Sequence, residues 1–170
     1  MKVYRSESKP VGRNGPIKVG VADYAVAKTE TKLTTTGLGS CLGIALSETE
    51  SGIAGLAHAM LPSASGSDDG DAAKFVDTAI DGMLSEMLRA GANEEGIEAK
   101  IAGGSNMLEL SGIGSDVGLR NVEESKKSLA EKGIPIVSED TGGDYGRSLE
   151  LDTGSAVLVV KSAHHGVNRI

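Results

Sequence analysis

Residues 37–62 read GLGSCLGIALSETESGIAGLAHAMLP, and this stretch decides how the chain folds. Leu42–Leu46 and Ile53–Met60 are apolar runs separated by the turn residues Ser47, Glu48, Ser51 and Gly52. Two such runs around a short polar break read as a β-hairpin. Upstream, Ile17–Val21, Tyr24–Lys28 and Thr31–Thr36 carry the same strand-like pattern. Downstream, Pro62–Asp71 (PSASGSDDGD) is the most loop-like part of the chain. Beyond it Phe75/Val76, Ile80, Met83/Leu84 and Met87/Leu88 recur every three to four residues, which predicts an amphipathic helix capped by Asp71 and stopped at Gly91. Ile97–Gly103 reads as a strand. A second helix is expected over Val122–Lys132, with Asn121 and Glu124 as a capping box and Gly133 as its stop. Ile134–Val137 and Ala156–Lys161 are further strand candidates. The sum is an α+β domain of about seven to nine strands and two main helices.

At 170 residues the chain suggests one domain. We expect a flexible N-terminal tail over 1–15, a folded domain over 16–162 and a polar C-terminal tail over 163–170. A hydrophobic content of 39% with 24% charged residues places it among globular rather than disordered chains. The net charge of −7 disfavours nucleic acid, because phosphates need a basic footprint, and it disfavours an anionic membrane surface equally. Four aromatic residues (three Tyr, one Phe) leave little for base stacking. No apolar run reaches the roughly 20 residues of a membrane helix, and MKVYRSESKP lacks the apolar core of a signal peptide. A single cysteine, Cys41, excludes an intrachain disulfide and a Cys-rich zinc site. A reducing cytoplasm is the expected setting.

Candidate chemistry centres on Thr35-Thr36-Gly37-Leu38-Gly39-Ser40-Cys41. A strand ends in a Gly-x-Gly-Ser turn that delivers the thiol, and small residues there let backbone N–H groups of Gly39 and Ser40 converge as an oxyanion site requires. A free thiol is only a few per cent ionised at neutral pH and needs a base within reach. His164 and His165 lie in the polar tail, whereas His58 lies on the partner strand of the hairpin. A lone cysteine is most often a buried small hydrophobe, and a histidine in an apolar strand is most often a core residue, so residue types alone leave the pairing open. Thr34, Thr35, Thr36 and several acids all remain eligible as the group that orients the histidine. The cluster Glu139–Arg147 (EDTGGDYGR) reads equally as a substrate loop, with Thr141, Gly142, Gly143 and Arg147 as binding candidates, or as an ordinary turn. Gly103–Met107 has the same ambiguity. Asp68, Asp69 and Asp71 lack the spacing and terminal Glu of a calcium loop, so no metal is expected.

The ordered series GLGSC (37–41), GLAHAMLP (55–62), KFVDTAI (74–80), AKIAGGSNM (99–107), VGLRN (117–121) and EDTGGDYGRS (139–148) resembles the CheD family of chemoreceptor glutamine deamidases. The resemblance covers about Ile17 to Lys161. It implies an α+β fold of packed mixed sheets with helices outside. It also implies a cysteine hydrolase that converts glutamines on methyl-accepting chemotaxis receptors to glutamates, without a cofactor. Laid onto this chain it makes Cys41 the nucleophile, His58 the base and Thr35 the third member. It further implies a CheC-type phosphatase of the response regulator CheY as a partner; a non-catalytic module acting through that phosphatase is the alternative. Phe75 where Tyr is common, Ser105 for a frequent Ala, and Leu42 for a common Val depart from the family pattern without touching those three residues.

Overall fold

The computed structural model describes residues 2–4, 15–64, 71–107 and 116–170. The strands are β1 (Lys2–Tyr4), β2 (Ile17–Lys18), β3 (Asp23–Lys28), β4 (Lys32–Leu38), β5 (Leu42–Glu48) and β6 (Ile53–Ala59). They continue as β7 (Glu98–Gly103), β8 (Ile136–Thr141), β9 (Arg147–Asp152), β10 (Leu158–Ser162) and β11 (Gly166–Arg169). Among the described residues there are also two α-helices, α1 (Val76–Arg89) and α2 (Val117–Glu131), and two short 3-10 turns. One sheet has the order β1-β3-β6-β5-β7-β8 and the other β11-β10-β9-β4-β2. Each is mixed, because β7 and β8 pair in parallel in the first sheet, and β2 and β4 do so in the second.

The hairpin read from residues 42–60 is the centre of the molecule. β5 and β6 pair antiparallel from Leu42↔Ala59 to Glu48↔Ile53, and every residue of both strands is buried. A strand covered on both faces has no need of polar alternation, which is why its sequence is a continuous apolar run. Ile44, Leu46 and Ala57 pack on the helix side with Val76, Ile80, Met83 and Met87 of α1. Ala45, Ala54 and Leu56 pack on the other side with Leu33, Leu149, Leu151 and Leu158 of the second sheet. The result is three layers, helices on sheet on sheet, which is the architecture the sequence predicted.

Several boundaries differ from expectation. α2 begins at Val117, so Asn121 is not its cap but an interior residue, fully buried. The first turn offers only Val117 and an exposed Leu119 as apolar residues, so periodicity does not mark it. The strand expected at Ile17–Val21 shortens to two residues, and that expected at Ile134–Val137 moves to Ile136–Thr141. β9 was not anticipated: its inward row is Arg147, Leu149, Leu151, and the inward arginine hides the alternation. Both tails contain strands. Lys2–Tyr4 pairs with β3, while Gly166–Arg169 pairs with β10 although all four residues are exposed. Backbone pairing and a bond from Asn168 Nδ2 to Asp140 Oδ2 hold β11, which leaves no apolar signature to read. Residues 5–14 of the expected tail and 65–70 of the expected loop, including Asp68 and Asp69, lie outside the described residues.

Candidate active site

His58 and Thr35 meet between the two sheets. Strand alternation turns His58 to the same face as Ala54 and Leu56, toward the second sheet. Thr35 on β4 faces it from there, and its Oγ1 lies 2.7 Å from His58 Nδ1. The same hydroxyl donates its single proton to the Val19 carbonyl at 2.8 Å. It is therefore left with lone pairs only, and it accepts from an Nδ1–H. That fixes the tautomer and leaves the lone pair on Nε2, which is buried and has no hydrogen-bond partner. Burial pushes the imidazole pKa down from 6.5 to about 4.

Cys41 is half-buried at the rim of the inter-sheet core. Gly43 is the Cα partner of His58, and Leu42↔Ala59 is the last rung of the ladder. Cys41 thus follows one step beyond that rung, on the face of Gly43 and diagonal to His58. Diagonal neighbours on one face have backbones about 7–8 Å apart, close enough for side chains to meet. The thiol makes no hydrogen bond to Nε2 in this resting form. Burial raises the thiol pKa, and the hydrogen bond from its own backbone amide partly opposes that. Both members of the pair are consequently neutral at rest. Gly43 lets the second sheet pack closely beside the pair: a Cβ there would collide with Leu149 Cδ1.

The turn that presents Cys41 is held through its carbonyls. Gly104 N donates to Cys41 O and Ser105 N to Gly39 O, each at 2.9 Å. Gly103 permits this approach, since its φ is +105° and a Cβ would lie 2.6 Å from the Cys41 carbonyl. Asn121 Nδ2 donates to Ser40 O at 2.8 Å. With three successive carbonyls turned inward, Ser40 stays exposed, and no described carbonyl accepts from the Ser40 or Cys41 amides.

The loop candidates separate into two kinds. Thr141, Gly142 and Gly143 line an open crevice of about 380 Å³ with Asn106, Asp116 and Leu119. Cys41 and His58 do not line it, but Gly142 N donates to Gly103 O and so ties the crevice wall to the turn behind the thiol. Arg147 does not face a substrate. It is 3% exposed, and its five donors are all used, on Asp140 Oδ1 (twice), Ser105 Oγ, the Gly142 carbonyl and the Tyr145 hydroxyl. It is the anchor of the 140–145 loop. His165 stacks on the Tyr145 ring, with centroids 3.8 Å apart.

The sequence reading missed Asn121, the Val19 carbonyl and the Ser105–Arg147 link. A helical register through Gly118, Asn121, Val122, Ser125 and Leu129, all buried, would have put Asn121 on the inner face of α2.

Comparisons with known proteins give the family of the chain. The family model described as CheD chemotactic sensory transduction matches residues 60–162. A probable chemoreceptor glutamine deamidase of Haloarcula marismortui is 48% identical over 96% of both chains. One from Caldanaerobacter subterraneus subsp. tengcongensis is 46% identical over 91% of this chain and 97% of its own. The chemoreceptor glutamine deamidase of Bacillus licheniformis is 44% identical over 91% of this chain and 94% of its own. A solved Bacillus licheniformis hypothetical protein, YfiH, covers 70% of this chain and 50% of its own at a TM-score of 0.47 and 16% identity, too distant to bear on the site. An α+β protein with a half-buried thiol beside an imidazole buried between two packed sheets is the class in hand. The chain belongs to the CheD family.

Proposed function

We propose that this protein hydrolyses selected glutamine side-chain amides on methyl-accepting chemotaxis receptors to glutamate, with Cys41 as nucleophile, His58 as base and Thr35 as its orienting partner. The observation that carries the reading is the Thr35–His58 hydrogen bond, which leaves a buried, unpartnered Nε2 one diagonal from the only thiol of the chain. The relatives named as deamidases support the substrate.

As the thiol sulfur attacks the amide carbon, its proton passes to His58 Nε2. The carbonyl oxygen becomes an oxyanion, for which the Ser40 amide is a donor, joined by the Cys41 amide once it leaves the thiol sulfur. The C–N bond then breaks, and His58 returns the proton to the leaving ammonia. Water, deprotonated by the same imidazole, cleaves the thioester, releasing glutamate and restoring the thiol. Thr35 is neutral and stabilises the transient imidazolium less than a carboxylate would, so turnover is slow. The crevice at Thr141–Gly143 would seat residues flanking the target glutamine.

The unit carrying this activity is proposed to span residues 16–162 and to work in the cytoplasm; among the described residues no helix is long and apolar enough to cross a membrane. A CheC-type phosphatase is the proposed second partner, docking over the Cys41 turn in competition with receptor. The test is mass spectrometry of a receptor cytoplasmic fragment incubated with wild type or Cys41→Ala. Conversion of glutamine by wild type alone supports the reading. Conversion by the alanine variant overturns the covalent route, and no conversion by either leaves only phosphatase binding.

A further inference from the structure

Asn121 lies inside α2 and is fully buried, yet its carboxamide leaves the helix to serve two other elements. Its Nδ2 donates to the Ser40 carbonyl at 2.8 Å and to the Met60 carbonyl at 3.1 Å. Ser40 immediately precedes the nucleophile, and Met60 stands two residues after the base. The β5–β6 ladder ends at Leu42↔Ala59, so these carbonyls flank the place where a next rung would form. A single side-chain amide takes up both and substitutes for that rung.

We propose that Asn121 is a positioning residue for the reaction, setting the separation of the Cys41 turn from the strand that carries His58. The inference rests on the Cys41–His58 reading above. Those two side chains are diagonal across the end of the ladder, so their distance follows the strand separation at that point. The bonds to Gly39 O and Cys41 O come from Ser105 N and Gly104 N respectively and fix the turn to the end of β7, whereas the Asn121 amide spans from the turn to the end of β6. Misplacement of a reacting group by about 1 Å costs on the order of a hundredfold in rate. The chemistry of the carboxamide points the same way. Two carbonyl oxygens can be faced only by the NH2 end, so its orientation is settled. Its Oδ1 is then buried with no hydrogen-bond partner, a cost that an apolar side chain of similar volume would not carry. The group is there for its two donors.

The test uses the chain's single thiol as reporter, so it does not depend on deamidation. Alkylation of Cys41 by iodoacetamide is followed against pH in wild type, His58→Asn, Asn121→Leu and the double variant, with folding checked by circular dichroism. We expect His58→Asn to slow alkylation near neutral pH by at least about tenfold. Asn121→Leu should fall to the same level, lose the His58-dependent part of the pH profile, and add nothing further in the double variant. With a receptor fragment, kcat should fall about a hundredfold in Asn121→Leu while KM stays nearly constant. Should the leucine variant fail to fold, Asn121→Ala takes its place in the same cycle. If Asn121→Leu melts earlier but alkylates like wild type, or if its loss adds to that of His58→Asn, the residue is merely structural and the inference is overturned. If His58→Asn itself alkylates like wild type, the dyad reading fails first and the inference falls with it.

Discussion

Lowering the pH should destabilise this protein through His58, and the size of the effect follows from its burial. The imidazole titrates near 6.5 in an unfolded chain but at about 4 in the folded one. Between those values the unfolded chain binds a proton that the native state refuses, so stability rises with pH across that interval. The contribution is complete above the unfolded pKa and is lost as pH falls toward the folded one. The gap corresponds to about 3 kcal/mol in full, of which about 2 kcal/mol disappears between about pH 7 and pH 4.5. Against a typical domain stability of roughly 5–15 kcal/mol that is a large loss. The assay is urea unfolding at both pH values for wild type and His58→Asn, whose side-chain amide can still donate to Thr35. At a urea slope of about 2 kcal/mol per molar, the wild-type midpoint should drop about 1 M more than the variant's. Glu48, held below the usual carboxylate range chiefly by the Asn93 and Ser51 amides, destabilises both proteins alike in acid and cancels in the difference. Parallel losses in the two proteins would refute the buried, neutral imidazole. The same ionisation predicts that kcat/KM on a receptor fragment keeps rising with pH only through about 4, where Nε2 gains its lone pair.

Thr35→Val should leave the His58 Nδ1–H and the Val19 carbonyl without their partner, costing about 1–3 kcal/mol in urea unfolding. It should also lower the deamidation rate by at least about tenfold, with Thr35→Ser keeping most of it. Gly43→Ala drives a methyl into Leu149 and Leu38; overpacking of this kind costs about 1–3 kcal/mol, and the rate should fall as well because Gly43 is the ladder partner of His58. Arg147→Met strands the partly buried Asp140 and frees the 140–145 loop, so stability should fall by about 3–5 kcal/mol and KM for the receptor fragment should rise. Lysine at 147 should not rescue it, lacking the donors that hold Ser105 and Gly142 together. Free glutamine should be a poor substrate beside a receptor fragment, because it makes none of the remote contacts that position the amide; comparable kcat/KM values would point to a general amidase.

The central hairpin and the α1 helix were legible because their burial leaves a direct trace in residue type. Runs such as LGIAL and IAGLAHA have one physical explanation, a strand covered on both faces, and the apolar recurrence from Phe75 to Leu88 has another. The strand containing His58 and the turn containing Cys41 could be placed for the same reason. What escaped was held by polar side chains in apolar positions. Arg147 on an inward strand site and Asn121 on an inward helix face each break the pattern that betrays an element. Local rules then assigned them local roles, a substrate contact and a helix cap. Their true partners, Asp140 and Ser105 for one and Ser40 and Met60 for the other, are 7 to 81 residues away in sequence. β11 was missed for a different reason, since an exposed edge strand held mainly by backbone bonds carries no apolar pattern.

The packing between the sheets also explains why the pair rests in its neutral form. An ion pair of thiolate and imidazolium would need nearby charge or water to support it. His58 instead lies beneath two sheets, with a neutral hydroxyl and alanine and leucine side chains around it. Desolvation therefore works against both ions at once, raising the thiol and lowering the imidazole. Proton transfer must then accompany carbon–sulfur bond formation, when the developing oxyanion gives the imidazolium a counter-charge. A docked substrate amide supplies that oxyanion, and with a small alkylating agent the departing halide plays the same part more weakly. The arrangement makes thiol reactivity depend on His58 throughout and greatest toward a positioned amide, so the deamidating activity and the slow reaction of the resting cysteine follow from the same burial.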